Sequence, residues 1–269
     1  MKIFDCFKFF NETELLDLRL MTLNDLVDFF VLVEANKTHT GKKKEFIFEQ
    51  NKDQFSDYMD KIIYVKVYDL PDYNISDIWI AENFQRNCIT RGLTNAKVGD
   101  KIIISDIDEI PNPDTIRKHL TTNEPVTMIQ HLFYYYVNCF QRSPWWGSIL
   151  ATQGNYDSPQ DLRNMARIGH NAVSNGGWHY SFMGGPERIK IKVENIAESH
   201  LIINKVGNVG DIERKMKTQQ DLWGRGDSAF QKHIIDVTIE GIAPKCINQF
   251  IEKYPEFFFK RNEGGENNE

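Results

Sequence analysis

Nothing in this sequence of 269 residues reaches the roughly 18 consecutive apolar residues that a membrane span needs. The opening MKIFDCFKFFNETE sets Asp5 and Lys8 inside what would be the apolar stretch of a secretory signal, so a cytoplasmic, soluble chain is expected. Cysteines are few and unpaired. Cys6, Cys88, Cys139 and Cys246 lie far apart with no CxxC or CxH spacing, which excludes a zinc knuckle and a small disulfide framework and predicts free, mostly buried thiols. The Gly-rich phosphate loops GxGxxG and Walker A are missing, as are GxSxG and a Cys/His nucleophile arrangement. A basic excess is missing too: 32 Lys and Arg face 38 Asp and Glu, a net charge of −6, which argues against nucleic acid as the main partner. No internal repeat and no linker rich in Pro, Gly or Ser divides the chain, so a single domain over residues 1–261 is expected. The remainder, 262–269 (NEGGENNE), carries three acids and no base and reads as a disordered acidic tail.

What is present is an ordinary folded composition, 41% hydrophobic and 26% charged, which rules out collagenous, coiled-coil and wholly disordered chains. Apolar runs at 2–7, 29–34 (FFVLVE), 62–67 (IIYVKV) and 101–105 (KIIIS) read as strands. Between them, helices are expected over 12–27, 51–60 and 77–93, the last with Ser76 as N-cap, and Asn112-Pro113 can open a further one. Continuous Ile, Val and Phe runs separated by helices indicate a parallel sheet covered on both faces, so the fold class is α/β. From about residue 125 the texture changes. Phe133, Tyr134, Tyr135, Tyr136, Phe140, Trp145 and Trp146 crowd into longer strands and loops, a short extended piece at 178–183 is flanked by Gly pairs, and 186–198 and 210–223 read as helices. Two merged lobes, 1–124 and 125–261, are the expected organisation.

The strongest local signal is the run from Ile102 to Pro111, an apolar strand entering alternating carboxylates. In extended backbone Asp106 and Asp108 share one side while Ile107 points to the other. Two hard oxygen donors at the carboxyl end of a buried strand suit Mg²⁺ or Mn²⁺ bridging to a diphosphate. The alternatives are acids that merely end a strand and cap a helix, or a phosphatase of the haloacid-dehalogenase type, whose motif opens the first strand instead. His179, between Trp178 and Tyr180, is either a metal ligand or a hydrogen-bonded structural residue. Arg86 and Asn87 can reach a nucleotide, or Arg86 can form a surface ion pair with Glu82. Glu34 and Asn36 mark a nucleoside end or a polar loop, and Lys190 and Lys192 a diphosphate site or a solvated face. Trp145 and Trp146 are expected in a loop, where a stacking face for an acceptor competes with core packing.

Taken in order, KIFDCFKFFNETELLDLRL, VEAN with THTGK, AENFQRN, ISDIDEIP and GGWHYSFMGGPERIKIK resemble glycosyltransferase family 17, the family of the enzyme that adds bisecting N-acetylglucosamine. The resemblance runs from about residue 2 to Lys245 and the aromatic stretch after it. It implies a GT-A fold, with a Rossmann-like nucleotide-binding half and mixed sheet merged with an acceptor-binding half. By position, Asp106 and Asp108 match the family's DxD that holds Mn²⁺ and the nucleotide diphosphate, and His179 matches the His of its GWH element. The implied reaction is inverting transfer of a sugar, GlcNAc from UDP-GlcNAc, to a glycan hydroxyl. Asp157, Asp161 and Glu187 are the candidate bases, Glu187 favoured because the Pro-Glu pair recurs in the family. With neither anchor nor secretory signal in the sequence, the expected acceptor is a microbial or viral glycan built in the cytosol. The competing functions are a non-catalytic glycan-binding module and a sugar nucleotidyltransferase.

Overall fold

A computed structural model describes residues 1–226 and 231–260; the expected acidic tail at 262–269 lies outside the described residues. The apolar runs of the first half become four parallel strands, β1 (Ile3–Phe9), β2 (Phe29–Ala35), β3 (Ile62–Val67) and β4 (Lys101–Asp106), side by side in the order β3-β2-β1-β4. Their side chains alternate between two apolar layers, which is why the runs are continuous. Cys6, Val31, Val33, Ile102 and Ile104 enter one layer; Phe7, Phe9, Phe30, Leu32 and Ile103 enter the other. Helix α1 (Thr13–Leu23) covers the second layer with Leu16, Leu20 and Leu23. Fully burying each such side chain is worth about 1.5 to 3 kcal/mol.

The helices between these strands are shorter than the sequence suggests. α1 stops at Leu23 rather than 27. The helix expected over 51–60 is α2 (Ile47–Asn51) followed by a 3₁₀ turn, Lys52–Tyr58, broken at Phe55, whose buried ring takes precedence over helical backbone. The one expected over 77–93 is α3 (Ile80–Asn87) and a second 3₁₀ turn, Cys88–Gly92, and Ser76 does not cap it. At Gly92 the chain lies so close to the sheet that a Cβ would come 2.4 Å from Val31 Cγ1.

After β4 come β5 (Glu109–Pro111), α4 (Pro113–His119), β6 (Val126–Tyr134), β7 (Cys139–Thr152), α5 (Pro159–Arg167) and β8 (Ala172–Ser181). β7 pairs antiparallel with β4, and β6, β8 and β5 extend the sheet beyond it. Trp145 and Trp146 therefore lie within a strand and not in a loop: they pair with Gln130 and Ile129 of β6, between register shifts that widen the ladder. The helix expected over 186–198 divides into α6 (Pro186–Asn195) and α7 (Ser199–Val206), because Ile196 turns extended. The next, expected over 210–223, is α8 (Val209–Lys217). β9 (Lys232–Ile234) pairs with β7, and α9 (Ile247–Lys253) closes a third apolar layer with Phe133, Trp178 and Tyr180. All four cysteines are free and three are buried. Among the described residues no helix is long and apolar enough to cross a membrane.

Candidate active site

β2 lies on one side of β1 and β4 on the other, so the sheet changes its direction of growth between β1 and β4. Ligands of open α/β sheets bind outside the carboxyl ends of strands at such a point. A cavity of about 210 Å³ opens there, lined by Lys8 to Phe10 from the end of β1 and by Asp106 to Glu109. The backbone is not extended through the carboxylates as the alternation suggests: residues 107–108 form a turn between β4 and β5, yet both aspartates still face the cavity.

Arg19 holds that turn from beneath. Its side chain is fully buried, and it donates from Nη1 to the carbonyls of Asp106 (3.0 Å), Ile107 (3.3 Å) and Glu109 (3.0 Å). Nη2 and Nε grip the buried carboxylate of Asp5 at 2.6 and 2.7 Å, and Nη2 also donates to Ser105 Oγ. A planar fork with five donors suits this task as an ammonium would not.

Asp106 meets three cations: Arg163 Nη2 at 2.9 Å, Arg86 Nη2 at 3.2 Å and Lys8 Nζ at 3.3 Å. Register places Lys8 directly beside it on β1. Burial alone would raise its pKa, but Lys8, Arg163 and Arg86 hold it well below the usual carboxylate range. Glu109, with 1% of its surface exposed, takes a two-pronged bond from Arg163, both distances 2.7 Å, and accepts from Trp145 Nε1 at 2.7 Å and from the Asp106 amide at 2.8 Å. Gly147 is required here, because a Cβ would stand 2.5 Å from Glu109 Cδ.

Asp108 faces a different set. Lys192 Nζ, from α6, lies 2.8 Å from its Oδ2 and His179 Nε2 lies 3.6 Å from the same oxygen. Burial opposes ionisation of Asp108, but Lys192 and then His179 outweigh it and lower the pKa. His179 arrives through β8, where it pairs with Glu109 of β5. That pairing needs Gly177, whose φ of +134° and contact with the Ile110 carbonyl, 2.2 Å from where a Cβ would be, exclude any side chain. The ring lies 4.4 Å from that of Trp145, and its Nδ1 is buried without a hydrogen-bond partner. Among the described residues no three His, Cys, Asp or Glu side chains gather closely enough to hold a metal by themselves, so ligand oxygens would have to complete a shell begun by Asp108 and His179.

At the other end of the cavity His39 Nε2 lies 2.8 Å from Gln85 Oε1, and burial lowers the pKa of His39, which keeps it neutral. Thr38 and Trp79 line the same end. Past Trp145 and His179 the cavity runs into a larger groove of about 710 Å³, floored by Tyr134, Trp146, Phe182 and Trp223. Trp145, Arg167, His179, Ser181, Ile196 and Glu198 belong to both spaces.

A sequence model of glycosyltransferase family 17 matches residues 1–217, a span that contains every residue placed around the two cavities except Trp223 and Arg225. The chain belongs to glycosyltransferase family 17. It is similar to the β-1,4-mannosyl-glycoprotein 4-β-N-acetylglucosaminyltransferases of Homo sapiens and Rattus norvegicus, each 34% identical over 112 residues, and to that of Mus musculus, 33% identical over the same length. The matched stretch covers 39% of this chain and 21% of each relative. The mixed α/β architecture fits a family 17 glycosyltransferase.

Within this family 17 chain, Asp106, Asp108, His179, Lys192 and Trp145 meet at the cavity and Trp146 at the groove, but several other expected residues do not. Glu34 is fully buried away from it, its carboxylate saturated by Lys44, Tyr64 and the amides of Ile47 and Phe48. Asn36 and Asn87 do not line it; Asn87 Oδ1 instead accepts from the Gln160 amide. Arg86 acts one step back, joining Glu82 to Asp106 in a buried pair and not an exposed one. Lys190 turns to the Gly207 carbonyl. None of the three expected bases reaches either cavity: Asp157 and Glu187 are exposed, and Asp161 bonds Ser158 at the start of α5. Arg19, Arg163, Arg167, Glu109 and Glu198 also shape the site, and none of them is among the residues expected from the sequence. Asp5 and Arg19 were visible as charges at apolar-periodic positions, whereas Arg163 and Arg167 sit on α5, a helix that was not anticipated.

Proposed function

We propose that the chain transfers GlcNAc from UDP-GlcNAc to a glycan hydroxyl with inversion, on a GT-A fold and with Mn²⁺ or Mg²⁺. The observation that carries this reading is the acidic cavity at the β1/β4 switch point running into an aromatic groove. Thr38, His39, Gln85 and Trp79 take the nucleoside; Lys192 and Arg167 face the diphosphate; Trp145 and Trp146 bound the acceptor side. The donor set fits a divalent ion: Asp108 and His179, whose Nδ1 lacks a partner, are the side chains that would hold it, while Asp106 is taken up by Arg163, Arg86 and Lys8. When bound, the ion supplies charge neutralisation for the departing diphosphate. The cations of the chain contribute to the same end from fixed positions, where they need no reorganisation as charge develops.

The mannosyl-glycoprotein acceptor named for the relatives makes a terminal β-mannoside the first acceptor to try. Titrating UDP-GlcNAc with and without Mn²⁺ by calorimetry, and reading the anomeric configuration of the product by NMR, tests the proposal. Metal-dependent binding that Asp108→Ala abolishes, with a β-linked product, is the expected result. Affinity unchanged by metal and by Asp108→Ala would sink it.

A further inference from the structure

Among the described residues six carboxylates line the donor cavity: Glu12, Glu82, Asp106, Asp108, Glu109 and Glu198. Five are engaged. Glu12 accepts from the amides of Phe10 and Asn11 and pairs with Lys192 Nζ at 3.5 Å, Glu82 binds Lys8 and Arg86, and Asp106, Asp108 and Glu109 hold the contacts described above. A carboxylate already bonded to a guanidinium or an ammonium is a poor proton acceptor. Glu198 differs on two counts. Among the described residues it is the one acid that also lines the aromatic groove, and it has no ion pair there; the donor that faces its carboxylate is its own backbone amide.

The geometry points to Glu198 as the general base of the transfer, an assignment that rests on the function proposed above. Its place follows from the break between α6 and α7: extended backbone at Ile196 lifts Glu198 to the junction of the two spaces, just before Ser199 resumes the helix. An acceptor seated in the groove brings its hydroxyl to this junction, where Glu198 lines both spaces. The acceptor oxygen then bonds to the anomeric carbon, the bond from that carbon to the phosphate oxygen breaks, and UDP leaves with the electron pair. The hydroxyl proton passes to a Glu198 carboxylate oxygen. Burial raises the pKa of Glu198, Glu82 raises it further, and Lys8 and Arg167 pull it down; the net upward direction makes it a stronger base than a solvated glutamate.

The test uses the full chain with UDP-GlcNAc, Mn²⁺, and p-nitrophenyl β-mannoside or azide as nucleophile, reading UDP release. Azide is already an anion and needs no base. We expect Glu198→Gln to lose about 10² to 10⁴ in kcat for the mannoside while UDP affinity and melting temperature stay at wild-type values. We expect Glu198→Ala to release UDP with azide and give a glycosyl azide. Retention of mannoside transfer within a few-fold in Glu198→Gln overturns the assignment. So does a Glu198→Ala protein that uses azide no better than mannoside, since the carboxylate would then be aligning the donor. If the wild type releases no UDP with either nucleophile, the proposed function falls and the base falls with it.

Discussion

Arg19 offers a sharp test of how the acidic turn is built. In Arg19→Met the apolar stem is kept and the guanidinium removed, leaving the fully buried Asp5 without its cation and the carbonyls of Asp106, Ile107 and Glu109 without their shared donor. Taking one partner from a buried ion pair costs about 3 to 5 kcal/mol, because the other charge remains desolvated. Set against a total stability of about 5 to 15 kcal/mol, that is a large fraction. At about 2 to 4 °C per kcal/mol for a chain of this size, it corresponds to a fall of roughly 6 to 20 °C in Tm. Urea denaturation of Arg19→Met, Asp5→Leu and the double variant closes a cycle. The double variant should recover most of the loss, since it strands no charge, yet bind UDP with Mn²⁺ more weakly than wild type because nothing pins the turn. A single variant that loses less than about 1 kcal/mol, or a double variant no more stable than Arg19→Met, would refute this account.

Two further outcomes follow from the site. Trp145→Phe, which removes the bond from Nε1 to Glu109, should cost about 1.5 to 3 kcal/mol, whereas Trp146→Ala should raise the acceptor KM while leaving UDP affinity at the wild-type value. An unchanged acceptor KM in Trp146→Ala would remove Trp146 from the acceptor side. The pKa values of Asp106, Asp108, Glu82 and Glu109 all lie below their ordinary positions, so the stability these groups contribute is present above the unfolded carboxylate value of about 4 and is lost as pH falls below it. The urea midpoint should therefore drop as pH falls below about 4, less steeply in Asp108→Asn; an unchanged slope in that variant would remove Asp108 from the account.

Much of the first half was legible in the sequence because its signal is local. An Ile or Val run between helices can only be a strand covered on both faces, and the Asp106-Ile107-Asp108 alternation marked the end of β4 without any knowledge of its neighbours. The second half was harder because its strands are defined by pairing. β7 carries Ser143-Pro144 and two tryptophans, a loop-like composition, and remains a strand only because β6 accommodates it through register shifts. The base could not be found by motif either. Glu198 has no motif around it, and what sets it apart is that its neighbours leave it unpaired at the boundary of two spaces.

The pairing of β4 with β7 also sets an order of assembly. Lys101 to Ile104 pair with Ile149 to Thr152, so when residues up to 124 have emerged the outer edge of β4 presents an unpaired ladder on one of the most apolar segments of the chain. It stays open until residue 152 has emerged. A fragment ending between the two halves would keep that edge bare, open to pairing with any other strand.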